Sequence, residues 1–112
     1  MLRRKLKSDF MFSVIYITTK NINEARKISG VLLRKKLIAC ANIFPIESQF
    51  WWKGKIEKCS ESAIICKTNS KNVEKVIDTV KKNHSYDIPD VVEIPIKSGN
   101  KDFLKWIDEV VE

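Results

Sequence analysis

The sequence holds one histidine, three cysteines and no run of about 20 apolar residues, and each shortage removes a class of protein. No membrane-spanning helix is expected where no apolar stretch reaches that length. The cysteines, Cys40, Cys59 and Cys66, are odd in number and form no CxxC pair, so they spell neither a disulfide framework nor a zinc knuckle. All three fall in strand-like segments, where a thiol serves as a small core hydrophobe, and a reducing, cytoplasmic compartment is the expectation. With His84 alone there is no histidine pair at zinc spacing. A Gly-rich phosphate loop and a nucleophile elbow are missing as well, so no enzyme is expected.

Acidic residues are absent from the first seven positions, where Arg3, Arg4, Lys5 and Lys7 carry four of the seven net positive charges. The rest of the chain sets 17 basic residues against 14 acidic ones, a surplus of three. Mild basicity of that kind does not predict a nucleic-acid surface. Residues 1–11 read as a basic disordered tail, because Ser8 and Asp9 interrupt what would otherwise resemble a signal sequence. Residues 12–112 read as one domain, in keeping with a chain of 112 residues.

Along that domain the pattern alternates cleanly. Phe12–Thr19 is β-branched and aromatic, a strand. Asn21 offers an N-cap with Glu24 three residues on, and apolar spacing predicts a helix over 22–36. Leu37–Phe44 and Gln49–Trp52 read as one strand interrupted at Pro45. Lys53-Gly54 is a two-residue hairpin turn, and 55–68 returns with a bulge expected at Ser60–Ser62. Ser70 is the expected cap of a helix carrying Val73, Val76, Ile77 and Val80, which stops near Asn83. A loop over 84–89, an edge strand at Val91–Ile96 holding Pro95, and a last helix capped by Asn100 complete the order βαββαβα.

Two helices of such a unit cover one sheet face, yet the strands are apolar on both. Val14-Ile15-Tyr16-Ile17, Leu37-Ile-Ala-Cys-Ala41 and Ala63-Ile-Ile-Cys66 do not alternate as a half-wet sheet should. The hairpin arms far exceed the usual ~5–6 residues of a strand. Both features predict that copies of the chain cover one another.

Thr18-Thr19, Leu37-Ile-Ala-Cys-Ala-Asn42, Trp52-Lys-Gly-Lys-Ile56, Lys67-Thr68, His84-Ser-Tyr-Asp-Ile-Pro89 and Phe103-Leu-Lys-Trp106 together resemble the CutA divalent-cation tolerance family over about 12–112. The resemblance implies an α+β, ferredoxin-like βαββαβ antiparallel sheet with a C-terminal helix and a long hairpin between its second and third strands. It also implies a homotrimer similar in architecture to the PII nitrogen-signalling proteins, a link to copper and divalent-cation tolerance, and no established catalysis. Acylphosphatases share the fold class, but their Gly-rich, arginine-bearing loop after the first strand is absent here. Where relatives carry His-Pro-Tyr, this chain has Ser85, which loosens the restraint a proline would place on His84.

Counting back from the hairpin turn places Cys40 opposite Lys67 and Ala41 opposite Cys66. A thiol beside an ammonium favours the thiolate, the metal-binding form, and soft sulfur suits copper(I). Cys40 and His84 are therefore the candidate metal ligands, set against a buried structural thiol and a histidine that merely faces the negative end of its helix. Trp52, Lys67 and Tyr86 are the candidate lining of an inter-subunit cleft, with interface packing as the plainer role for Trp52. The expected partners are further copies of the chain and a divalent metal ion, with no nucleic acid or membrane. Two other roles stay open: a PII-like trimer binding a small anionic ligand through Lys67 and His84, and a protein-anchoring scaffold.

Overall fold

The computed structural model describes residues 10–112. The expected tail over 1–11 lies mostly outside them.

Eight elements follow in order: β1 Phe12–Thr19, α1 Ile22–Arg34, β2 Cys40–Trp52, β3 Lys55–Asn69, a 3₁₀ turn Ser70–Asn72, α2 Val73–Asn83, β4 Val91–Ile96 and α3 Lys101–Val110. The strands form one antiparallel sheet in the order β2-β3-β1-β4. This is the ferredoxin-like arrangement, with α3 added.

Period-2 alternation decides which side of the sheet each residue serves. Ile15 and Ile17 of β1 and Ile64 and Cys66 of β3 turn to α1 and α2. There they meet Ala25, Ile28 and Leu32 from α1 and Val73, Val76 and Val80 from α2, all buried. The opposite face carries Phe12, Val14 and Tyr16 beside Val92, Ile94 and Ile96. Here α3 covers only one corner, where Ile107 is buried and Asn69 Nδ2 donates to Asp108 Oδ1 at 2.8 Å. Elsewhere the face is open: Val92 is 48% and Ile94 52% exposed.

Several sequence expectations shift by a few residues. Helix α1 ends at Arg34 rather than 36, because Lys36 takes a left-handed φ of 58° and turns the chain out. Leu37 and Ile38 are buried connection, and the strand begins at Cys40. No bulge occurs at Ser60–Ser62: pairing runs unbroken from Cys40↔Lys67 to Trp52↔Lys55, with Pro45 opposite Ser62. Counting from the turn puts Pro45 at a non-hydrogen-bonded position of an edge strand, where its missing N–H costs no ladder bond. Ser70 does not cap α2: Asn69 caps the 3₁₀ turn, accepting from Lys71 N, α2 starts after Asn72 with no side-chain cap bond, and Ser70 bonds Ser13 across the core at 2.7 Å. Asn21 does cap α1, through Glu24 N at 2.9 Å, but the Glu24 carboxylate reaches Lys20 N instead of closing the reciprocal box. Pro95 sits on edge strand β4 as expected.

Candidate functional site

The register places Cys40 opposite Lys67, the pairing read from the hairpin turn. Both lie on the sheet face that α3 only partly covers. The Lys67 ammonium donates to Asn42 Oδ1 at 3.0 Å and sits 6.0 Å from the centre of the Phe103 ring on α3. Cys40 is a free, half-buried thiol. Cys66, one register step away, points into the core, and burial pushes its thiol up to about 12. That makes Cys66 an inert packing group and leaves Cys40 as the sulfur with ligand character on this face.

His84 stands at the C-terminal cap of α2, and the structure occupies both of its nitrogens. Nε2 lies 2.7 Å from the Thr18 carbonyl oxygen, which can only accept, so Nε2 carries the proton. Nδ1 accepts from Tyr86 N at 3.1 Å, and the two rings lie 4.9 Å apart. The loop is held further by Ser85 N donating to Glu24 Oε2 at 2.8 Å and by the Tyr86 hydroxyl donating to Glu61 Oε2 at 2.6 Å. Burial pushes the Tyr86 phenol well above its ordinary range, and the Glu61 bond and charge act in the same direction. For Glu24, burial alone would raise the carboxyl. The hydrogen bonds from Lys20 and Ser85 and the neighbouring His84 outweigh it and hold the group below its usual range.

The five candidate residues therefore fall in three places within one chain. Cys40 and Lys67 share the α3 corner. His84 and Tyr86 form a tied loop at the other end of β1: Val14, paired with Lys67, and Thr18 are four residues apart, about 13 Å along the strand. Trp52 lies at the hairpin tip, twelve residues from Cys40 along β2, which is about 40 Å of strand. Cys40 and His84 do not meet within a subunit, and among the described residues no group of three or more His, Cys, Asp or Glu side chains could hold a metal ion. Any joint role needs a neighbouring copy.

Sequence reasoning missed Glu24 and Glu61. In the sequence Glu24 shows only as half of a cap and Glu61 only as part of an expected bulge. A carboxylate inside an otherwise neutral strand run, as at Glu61, was the available signal. No helix among the described residues is long and apolar enough to cross a membrane.

A family model described as CutA1 divalent ion tolerance protein matches residues 13–110. The chain is 54% identical over 102 residues to the divalent-cation tolerance protein CutA of Archaeoglobus fulgidus, spanning 91% of this chain and 100% of that one. The solved structure of the periplasmic divalent cation tolerance protein CutA from that organism aligns with a TM-score of 0.90 at 54% identity, over 91% of this chain and 100% of the other. The chain is also 40% identical over 95 residues to the chloroplastic protein CutA 1 of Oryza sativa, covering 84% of this chain and 54% of the plant protein, so it spans about half of that relative.

Proposed function

The chain belongs to the CutA1 divalent ion tolerance family, and from that premise we propose that it works as a homotrimer that binds copper, without catalysis, in a reducing cytoplasmic compartment. The observation that carries the assembly is the second face of the sheet. Val92 and Ile94 stand about half exposed beside Tyr16 and Val14, and α3 reaches only the corner at Asn69. An apolar face of this kind is a surface for another copy of a similar sheet. The hairpin arms, 13 and 15 residues long, carry Phe50, Trp51, Trp52 and Ile56 out where a monomer would leave them in water.

Copper binding rests on Cys40. Its thiol is free and half-buried, stands opposite the Lys67 cation and lies on the face that assembly would cover. A soft sulfur in that setting suits copper(I), and a neighbouring subunit would have to complete the ligand set. His84 is the more costly second ligand. Freeing Nδ1 means giving up the Tyr86 N–H bond, worth about 1 kcal/mol, before any metal bond is made. The compartment follows from the cysteine pattern alone, three thiols with no CxxC pair.

A copper(I) competition titration of wild type, Cys40→Ser and His84→Ala tests this reading. Cys40→Ser should weaken binding far beyond the ~10–100-fold typical of outer-shell changes, while His84→Ala should weaken it less. Unchanged copper affinity in an intact Cys40→Ser oligomer would remove the site.

A further inference from the structure

The helical side of the molecule holds a cavity of about 540 Å³ between the start of α1 and the end of α2. It lies at the end of the sheet away from Cys40, behind the face assigned to assembly, and the copper reading makes no use of it. Its lining is polar and unevenly charged. Lys20, Lys27 and Lys82 supply three ammonium groups, Asn23 and Asn83 supply carboxamides, and Glu24 is the one carboxylate.

Glu24 offsets one of the three charges, and both of its oxygens are held by backbone groups: Oε1 accepts from Lys20 N at 3.0 Å and Oε2 from Ser85 N at 2.8 Å. His84, also in the lining, has its Nε2 proton and its Nδ1 lone pair committed to Thr18 and Tyr86. The surplus charge of the lining is therefore about two positive, three ammonium groups against one carboxylate. The floor is rigid, because Asn21, Glu24, Ser85 and His84 are each tied into the hydrogen bonds that join α1, β1 and the loop after α2.

We propose that this cavity binds a small polyanion bearing phosphoryl groups. Lys27 from α1 and Lys82 from α2 are the principal contacts, and Lys20 guards the mouth. Three separate ammonium groups on three segments match an anion of charge two or more better than a single carboxylate. A compact phosphoryl anion also fits within the cavity volume. Such a ligand would bridge the two helices and the loop carrying His84. It would be sensed on the side of the fold opposite the assembly face, independently of any metal at Cys40.

Calorimetric titration of inorganic pyrophosphate into the full chain, at two salt concentrations, tests the site. Wild type should bind, more weakly at higher salt as screening grows. Lys27→Glu/Lys82→Glu should lose at least tenfold in affinity. Lys35→Glu/Lys75→Glu makes the same change of net charge at the C-cap of α1 and on α2, outside the cavity, and it should stay within about twofold of wild type. All four positions are exposed, and circular dichroism and native mass check each variant. No binding by wild type at millimolar pyrophosphate would overturn the proposal. So would an unchanged affinity in the cavity variant, or an equal loss in both variants, which would mean attraction to net charge alone.

Discussion

At the scale of single residues, the loop from His84 to Pro89 shows how a motif that reads as metal chemistry can be tied down by hydrogen bonds. His84 spans from the Thr18 carbonyl to Tyr86 N, and Tyr86 in turn reaches Glu61. A hydroxyl donating to a carboxylate is a charge-assisted bond, so Tyr86→Phe should cost about 1.5–3 kcal/mol in denaturant unfolding. A loss under 0.5 kcal/mol would show that the bond is not stabilising. Glu24 gives a pH signature with a definite sign. Its folded carboxyl lies below the ordinary value, so its contribution is present above about pH 4.3 and is lost as pH falls through the folded value. Glu24→Gln should therefore lower stability at neutral pH, and the gap to wild type should close in acid. A gap that stays constant from pH 7 to pH 3 would contradict this assignment. The pairing of Cys40 with Lys67 could be read from the sequence because a two-residue turn fixes every partner along the hairpin. The bonds of His84 could not, because Thr18 is 66 positions away in the chain and only the closed fold brings it near.

At the scale of elements, the hairpin is the most informative unit. Its turn is Lys53-Gly54 with φ of 50° and 81°, both left-handed. Glycine tolerates this and lysine does not, since a side chain there costs about 1–2 kcal/mol. Lys53→Asn should stabilise the chain by about 0.5–1 kcal/mol, asparagine–glycine being the preferred pair of such turns. Gly54→Ala should destabilise it by a similar amount or more. Equilibrium unfolding of the two variants checks both signs, and a destabilising Lys53→Asn would refute the turn argument. Strand and helix identities were legible because the period-2 and 3.6-residue patterns are strong. Boundaries drifted where local geometry decided them, as at Lys36, whose positive φ ends α1 early. The bulge expected at Ser60–Ser62 does not form, because Pro45 needs none where it stands. A proline needs a bulge in a central strand, but β2 is an edge, and there the ladder runs on past it.

For the whole molecule, two surfaces carry different tasks. The open apolar sheet face is the side proposed to meet other copies of the chain, and the helical side presents the basic cavity. The apolar character of the first was legible in the sequence, because strands apolar on both faces stand out without any structure. The second was not, since Lys20, Lys27 and Lys82 come together only when α1 and α2 pack side by side. If the sheet face holds the assembly, Val92→Lys with Ile94→Lys should dissociate it, because burying two charges without partners costs several kcal/mol. The same variant should keep its secondary structure, as both side chains lie outside the core. The most direct test is the native mass of the unmodified chain by light scattering at micromolar concentration. A trimer predicts three times the 13.0 kDa chain mass. A mass of one chain would contradict the trimer and leave Cys40 without a neighbouring subunit to complete its copper site.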